Sequence, residues 1–176
     1  MKPDFFVNNR KKLRELSKSH MLVITGNGLM QRNSDVTFPY RQDSNFWYAT
    51  GVEEPNVLLV MMDGEEYLIL PSRSNVQEIM EEAIDVKKML KRSGINEALD
   101  NKQGWDRLKK QIMANREVAI LEPPEPYVET YGFYTNPARR VLKEQIQNIK
   151  KVKFEDLRPI FSGLRVIKQP LELKMI

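Results

Sequence analysis

Cysteine is absent from this sequence of 176 residues, and His20 is the only histidine. Without cysteine the chain forms no disulfides and offers no thiolate, and four nitrogen or sulfur ligands for structural zinc cannot be assembled. A Ser-His-Asp or Cys-His nucleophile needs a histidine as its base, and His20 stands at the start of a strand-like apolar run. We therefore interpret His20 as a partly exposed residue at a strand start and predict no catalytic residue.

Long apolar runs are also missing. The longest have the length of a strand, far short of the 18 or so residues that a membrane helix needs, so no membrane span is predicted. The first residues lack the apolar region and the small-residue cleavage site of a secretory signal. With the lack of cysteine, which is compatible with a reducing compartment, these features predict a cytoplasmic protein.

A strong excess of one charge is absent as well. Lysine and arginine number 28 against 24 acidic residues, which gives a net charge of +4. The basic clusters at 10–14, 87–92, 107–110 and 150–153 lie beside apolar residues at helical or strand-like spacing, as expected for solvated faces of separate elements. No known nucleic-acid motif accompanies them, so we expect no nucleic-acid partner.

The residues that are present suffice for one folded domain. Apolar residues make up 41% of the chain and charged residues 30%, within the range of globular proteins, and the length suits a single core.

The strand signals are short apolar runs. Two of them, 57–62 and 65–70, flank Asp63-Gly64, which is a favoured two-residue hairpin turn. The first run is apolar without alternation, which predicts a strand buried on both faces in the middle of a layered sheet. Further strands are predicted at 21–25, 46–50, 118–121 and 151–154.

Helical periodicity separates these strands. A first helix is predicted from a cap at Asp4 to about Lys18, and others at 74–92, ended by Ser93-Gly94, at 104–113, and at 137–149. The residues expected on their apolar sides include Phe5, Phe6, Leu13, Leu16, Ile79, Met80, Leu108, Ile112, Met113, Val141, Leu142 and Ile146. Strands that alternate with helices around one hairpin predict an α/β fold, a mixed sheet covered by helices.

The stretch 32–56 is unusually rich in both aromatic and charged residues. Arg41 with Asp35 or Asp43 would form a buried ion pair, an arrangement that specifies a unique geometry or an interface. The alternative is a structural loop that crosses the sheet edge and is fixed by rings such as Phe38 and Tyr40. In addition to this structural role, a contact of the stretch with a ligand or partner stays open.

This stretch resembles the N-terminal domain of the creatinase, prolidase and aminopeptidase P family, and most of all the Xaa-Pro aminopeptidases. The matching segments are RNSD (32–35), FPYRQDSNFWYATG (38–51) and EEPNVLLV (53–60). The tail LRVIKQPLELKMI (164–176) is similar to the family's crossing into its catalytic domain. The resemblance implies an N-terminal domain at 1–160 and, at 161–176, a linker and the start of a "pita-bread" catalytic domain that this chain lacks.

The resemblance also implies a function. In the family the second domain holds two divalent metals, often manganese, that activate water to cleave the bond before proline, so the substrate is a peptide with proline at its second position. The N-terminal domain is a mixed six-stranded sheet with flanking helices, contributes to a homo-oligomer, dimer or tetramer, and helps to wall the active-site cleft. This chain by itself is expected to hold no cofactor and to be inactive.

Eight residues are candidates for the interface or the substrate cleft: Asp35, Arg41, Asp43, Phe46, Trp47, Tyr48, Arg73 and Met80. We expect a dimer contact near 46–51, where aromatic residues are dense. Met80 stands where the aminopeptidases usually have a tryptophan followed by a GRR-like segment. That departure leaves a prolidase-like dipeptidase open, and a stand-alone oligomerisation or binding module is the other alternative.

Overall fold

The structure, a computed structural model, describes residues 2–62, 64–74, 83–124, 128–132 and 134–174. Its centre is a six-stranded sheet in the order β6-β5-β4-β1-β7-β8. The strands of this sheet are β1 (Met21–Thr25), β4 (Leu58–Met62), β5 (Glu65–Ile69), β6 (Ala98–Leu99), β7 (Glu117–Ile120) and β8 (Lys153–Asp156). Two further strands, β2 (Gln31–Asn33) and β3 (Val36–Thr37), form a separate hairpin.

The sheet is mixed. β4 pairs antiparallel with both β1 and β5, while β1 with β7, β7 with β8 and β5 with β6 pair in parallel. β4 therefore runs opposite to the other five, whose carboxyl ends share one edge of the sheet. The predicted α/β class and mixed six-stranded sheet are confirmed.

The β4–β5 hairpin is also confirmed. Met62 lies opposite Glu65, and Gly64 has a φ of +77°, a left-handed conformation that glycine adopts without strain. Asp63 lies outside the described residues. Leu58 to Met61 are buried, as predicted for a central strand that is covered on both faces.

Eight described helices surround the sheet: α1 (Pro3–Leu16), α2 (Ser44–Thr50), α3 (Val86–Ser93), α4 (Asn101–Ala114), α5 (Val128–Tyr131), α6 (Ala138–Ile149), α7 (Arg158–Val166) and α8 (Pro170–Leu173). Side chains alternate across each strand, so Leu22 and Ile24 of β1 pack with α1, α2, α3 and α7, whereas Met21 and Val23 pack with α4 and α6. Two apolar cores result, one on each face of the sheet.

The run 46–50 is a helix, so the strand predicted there is wrong. The Asp43 carboxylate accepts hydrogen bonds from the backbone N–H groups of Asn45 (2.9 Å) and Phe46 (3.0 Å), and Gly51 ends the helix in the left-handed conformation. An N-cap before the run and a glycine after it override the β propensity of three consecutive aromatic residues, because that propensity depends on context.

Helix ends and faces differ from prediction in several places. Lys2 is the N-cap residue of α1, with Pro3 in the first turn, so Asp4 does not cap the helix, which ends at Leu16. α4 begins at Asn101, because the Asp100 carboxylate accepts from the N–H of Gln103. Leu16, Met113 and Val141 were expected on apolar faces but are exposed. Residues 83–85 are not helical, and 75–82 lie outside the described residues.

The tail is more ordered than a linker. α7 occupies Arg158–Val166, and its Phe161 is buried in the core, so the boundary expected between residues 160 and 161 falls inside a helix. Pro170 lies in the first turn of α8, as expected for the start of a helix. The division into two domains stays a prediction.

Candidate functional site

The segment 26–56 covers part of the carboxyl edge of the sheet, and Gln42 anchors it. The Gln42 Oε1 accepts hydrogen bonds from the backbone N–H groups of Asn27 and Asp43, both at 2.8 Å. Its Nε2 donates to the Glu54 carbonyl at 3.0 Å. One side chain thus joins the loop after β1, the cap of α2 and the segment that enters β4.

Tyr40 adds a second anchor. Its hydroxyl donates to the Asn27 carbonyl at 3.2 Å, and the Asn27 Nδ2 donates to the Arg41 carbonyl at 3.0 Å. Burial raises the pKa of Tyr40, and the nearby charges of Glu54 and Asp43 raise it further. The phenol therefore stays protonated and remains a donor at physiological pH.

Asp43 forms the ion pair of this region, but with Arg139 of α6. The two side chains are 12% and 14% exposed. Arg139 Nη1 also donates to the Glu122 carbonyl at 3.4 Å, and Lys143 Nζ lies 2.6 Å from the Glu122 Oε2. The pair links α2 to α6 across the carboxyl edge of the sheet. The predicted ion pair between Arg41 and Asp35 or Asp43 is wrong, because Arg139, distant in sequence, pairs with Asp43 instead.

Asp35 and Arg41 are exposed instead. Asp35 lies in the turn of the β2–β3 hairpin after Ser34, whose φ is +35°, and neither Asp35 nor Arg41 takes part in a salt bridge among the described residues. The structure therefore separates Asp35 from Asp43, two residues that the sequence grouped as alternatives.

The aromatic candidates mostly belong to the core. Phe46 is 0% and Tyr48 2% exposed. Edge-to-face contacts join Tyr48 to Phe5, Tyr48 to Phe161, and Trp47 to Phe6, with ring centroids 5.6 to 6.4 Å apart. Helix α2 turns the rings of Phe46 and Tyr48 into the core between α1 and α7, and the dimer contact expected at 46–51 stays a prediction.

A surface cleft of about 500 Å³ remains beside α2. It is lined by Tyr40, Arg41, Gln42, Ser44, Trp47 and Glu53. A hydrogen bond of 2.8 Å from Arg92 lowers the pKa of Glu53, so this carboxylate is charged near neutral pH. An exposed guanidinium, a half-buried indole and a charged carboxylate suit the binding of a polar or aromatic group, and the lining includes no histidine that would serve as a base.

Arg73 lies elsewhere. It lines a second cleft, of about 330 Å³, with residues that include Leu29, Asn56, Pro71 and Lys88. The structure thus brings Arg41 and Trp47 into one cleft, with Asp43 at the N-cap of α2, and places Arg73 in another cleft. Met80 lies outside the described residues.

The β2–β3 hairpin and its flanks form an exposed arm, which we define as residues 29–39. Leu29, Val36 and Phe38 are 38%, 49% and 52% exposed. Phe38 was expected to fix the loop onto the sheet edge, and that expectation was wrong. The sequence analysis missed this surface, although the alternation of Val36 and Phe38 around polar Thr37 was a signal for it.

The part of the chain that the structure describes contains no group of three or more His, Cys, Asp or Glu side chains that could hold a metal ion. No helix in that part is long and apolar enough to cross a membrane.

Comparison with known proteins gives consistent relatives. An Xaa-Pro aminopeptidase of Haemophilus influenzae is 27% identical over 180 residues, which cover 99% of this chain and 39% of that protein. An Xaa-Pro aminopeptidase of Escherichia coli is 26% identical over 161 residues, covering 82% of this chain and 34% of the relative. This chain therefore spans about two fifths or less of the length of these relatives.

Solved structures share the fold. A Bacillus anthracis protein solved as a candidate aminopeptidase P superposes with a TM-score of 0.81 at 20% identity, over 99% of this chain and 42% of the other. The low-pH form of Escherichia coli aminopeptidase P gives a TM-score of 0.74 at 23% identity, over 99% and 41%. The sequence pattern of the family described as "Aminopeptidase P, N-terminal domain" matches residues 6–121. This chain belongs to the aminopeptidase P N-terminal domain family.

Proposed function

We propose that this chain is the non-catalytic N-terminal domain of a metal-dependent Xaa-Pro aminopeptidase, a hydrolase that removes the residue before proline from the N-terminus of peptides. The observation that carries the proposal is the family match over residues 6–121, in a chain that corresponds to only 39% of its Haemophilus influenzae relative. The two catalytic divalent metals, manganese in this proposal, would bind in a second domain. The peptide substrate, with proline at position two, would meet that domain.

The chain's own residues support a structural role. The charged pair Asp43–Arg139 and the side chain of Gln42 are used to hold the loop and α2 in place. The described residues hold no cluster suited to two metals, so no step of the reaction is assigned to them. The exposed Arg41 and the half-buried Trp47 would contribute to a wall of the substrate cleft.

The test compares this chain with its parent. The 176-residue chain is incubated with Mn²⁺ and a peptide that begins Xaa-Pro, and release of the first residue is measured. We expect none, whereas a chain that continues past Ile176 with a catalytic domain releases it. Escherichia coli aminopeptidase P in the same assay is the positive control. Robust cleavage by the 176 residues alone would overturn the proposal.

Two alternatives are separated by simple observations. If the parent is a dipeptidase, it hydrolyses the dipeptide Xaa-Pro but not longer peptides. If it is an aminopeptidase, it prefers the longer peptides. For a stand-alone oligomerisation or binding module, the reading frame stops after Ile176. A continuation that supplies two aspartates, a histidine and two glutamates favours the peptidase.

We also propose that the exposed arm joins subunits of a homo-oligomer, and the dimer contact near 46–51 stays a separate prediction. A two-stranded hairpin is marginally stable in isolation, and this one exposes Leu29, Val36 and Phe38 together. Phe38→Asp should shift the parent's sedimentation toward monomer. Met113→Asp, at a residue that is 57% exposed on α4, is the matched control and should leave the assembly unchanged.

The cleft-wall role has its own test. In the active parent, Arg41→Ala should raise the KM for the peptide, whereas Arg140→Ala, at an exposed position of α6, should not. Equal effects of the two substitutions would argue against a specific role of the cleft. The cytoplasm is the proposed compartment, supported by the absence of cysteine, and cell fractionation tests it.

A further inference from the structure

Three side chains from distant parts of the chain meet where α1, α2 and the tail approach one another. Gln169 Nε2 donates hydrogen bonds to the Asn9 Oδ1 at 2.7 Å and to the Tyr48 hydroxyl oxygen at 2.9 Å. The Asn9 Nδ2 in turn donates to the Tyr48 carbonyl at 2.9 Å. We call Asn9, Tyr48 and Gln169 the tail clasp.

Two members of this clasp, Asn9 and Tyr48, are buried, so the loss of one of their hydrogen bonds costs free energy. Asn9 is 0% and Tyr48 2% exposed, so water cannot replace a lost partner without a structural change. Gln169 supplies the one described hydrogen bond to the Asn9 Oδ1. Burial also raises the pKa of Tyr48, which keeps its phenol neutral. A substitution that removes the Gln169 donor while the tail stays docked leaves the buried Asn9 Oδ1 without this partner, so the docked arrangement depends on Gln169.

A second set of contacts holds the chain just before Gln169. Arg165 Nη1 donates to the Asn45 Oδ1 at 2.6 Å and to the Ser44 Oγ at 3.2 Å. The guanidinium of Arg165 also lies 6.0 Å from the centroid of the Tyr48 ring. These contacts tie the end of α7 to the start of α2. The turn between α7 and α8 is therefore fixed by Arg165 before it and by Gln169 at its end.

The held segment carries apolar side chains to the surface. Val166, Ile167, Leu171 and Leu173, which we call the tail strip, are 73%, 79%, 39% and 60% exposed. Gln169 also begins α8, because its backbone N–H donates a hydrogen bond to the Glu172 Oε2 at 2.9 Å. The same residue thus docks the tail and begins the helix that carries half of the strip.

We propose that the tail clasp is a positioning device, which fixes the direction in which the chain leaves the six-stranded domain after α7 and holds the tail strip in one orientation. Gln169 is the residue on which the device depends, because its side chain is the one among the described residues that hydrogen-bonds to both Asn9 and Tyr48. The clasp lies within the 176-residue chain and does not depend on the proposed peptidase activity, so that chain is sufficient for the test.

The sharpest variant is Gln169→Glu. It keeps the size of the side chain but replaces the donor Nε2 by a carboxylate oxygen that faces the Asn9 Oδ1. Gln147→Glu, at an exposed position of α6, makes the same change of charge and is the matched control. Tyr48→Phe removes only the hydroxyl and leaves the ring in the aromatic core.

Amide hydrogen exchange of the peptide that covers residues 164–174 is the first measurement. Loss of the clasp should accelerate this exchange about tenfold in Gln169→Glu, since buried hydrogen bonds are lost. Helix α4, on the opposite face of the sheet, is the internal control and should exchange as in the unchanged chain. Adding Tyr48→Phe to Gln169→Glu should accelerate exchange by less than the product of the two single effects, because both changes remove the Gln169–Tyr48 contact and only Tyr48→Phe also removes the 3.4 Å hydrogen bond from the Tyr48 hydroxyl to the Leu164 carbonyl.

The second measurement is a distance distribution between two spin labels. The chain has no cysteine, so Lys109→Cys on α4 and Leu173→Cys on α8 can be labelled without background. One narrow peak is expected, which Gln169→Glu broadens and Gln147→Glu leaves unchanged. The proposal is overturned if Gln169→Glu leaves exchange and distance unchanged, if Gln147→Glu acts equally, or if α4 accelerates as much as the tail.

Discussion

Arg10 and Glu66 form a bidentate ion pair, with Nε to Oε2 at 2.9 Å and Nη2 to Oε1 at 2.8 Å. The Arg10 side chain is 1% exposed and that of Glu66 27%. Arg10 Nη1 also donates to the Ala49 and Ser93 carbonyls, both at 2.9 Å. One guanidinium therefore joins α1 to β5 and satisfies carbonyls at the C-terminal ends of α2 and α3, where a positive charge is favourable.

Replacing Arg10 should be strongly destabilising. Arg10→Met leaves the Ala49 and Ser93 carbonyls without a donor and should lower the free energy of unfolding by about 3 kcal/mol, the magnitude expected when one partner of a buried pair is removed. Urea denaturation measures the change. Arg32→Met, at an exposed arginine of β2, is the control and should stay within about 0.5 kcal/mol of the parent chain. Equal losses would contradict the role of Arg10.

Glu155 should make stability depend on pH. Burial by itself would raise the pKa of Glu155, but hydrogen bonds from the N–H groups of Lys18 and Ser19 and from the Ser17 hydroxyl outweigh it, so the pKa lies below the ordinary value of 4.5. A carboxylate with a lowered pKa stabilises the fold above its unfolded pKa, and that stabilisation disappears as the pH falls through its folded pKa.

The measurement is a pair of unfolding curves at several pH values. Glu155→Gln should lower the free energy of unfolding by about 1 kcal/mol at pH 7, and this difference should shrink below pH 4.5. Glu144→Gln, at an exposed position of α6, should show no such trend. A difference for Glu155→Gln that stays constant down to the acid transition would rule out the carboxylate as its source.

Asp43 has two separable roles. Asp43→Asn keeps a side-chain oxygen that can cap α2 but removes the charge that pairs with Arg139, whereas Asp43→Ala removes both. Thermal unfolding should therefore rank the parent above Asp43→Asn, and Asp43→Asn above Asp43→Ala by about 1 kcal/mol. If the two variants unfold alike, the cap contributes nothing beyond the ion pair.

Gly51 combines a special conformation with a close contact. Its φ is +67°, and a Cβ there would lie 2.4 Å from the Cζ of Phe6. Gly64 has a φ of +77° but no neighbour within 4 Å, so Gly64→Ala measures the conformational cost alone, about 1 kcal/mol. Gly51→Ala should lower the free energy of unfolding by more than that, and the difference gives the cost of the clash. An equal loss would mean that Phe6 moves aside freely.

Local patterns in the sequence predicted much of the sheet. The hairpin around Gly64 and the end of α3 at Gly94 follow from conformations that glycine adopts without strain, so neighbouring residues sufficed to predict them. Resemblance to a family supplied the number of strands. The strand predicted at 46–50 was wrong because the β propensity of aromatic residues depends on context, and the capping role of Asp43 was not recognised.

The candidate site depended more on tertiary structure. The sequence identified 32–56 as unusual, and Arg41 and Trp47 do line one cleft there. It could not identify Arg139, 96 positions from Asp43, as the partner of that aspartate. It also grouped Phe46 and Tyr48 with an interface, although packing against α1 and α7 buries them. Charge and aromatic content indicate that a segment is special without indicating which atoms it contacts.

The sequence by itself determined the α/β class, the central hairpin and the family resemblance, because these rest on the spacing of apolar residues and on residue types at turns. Tertiary structure decided the partners of the buried polar groups: Glu66 for Arg10, Arg139 for Asp43, and Gln169 for Asn9. The physical reason is that a buried donor or acceptor must be satisfied, but any suitable group in the chain can satisfy it, and only the fold brings one within hydrogen-bonding distance.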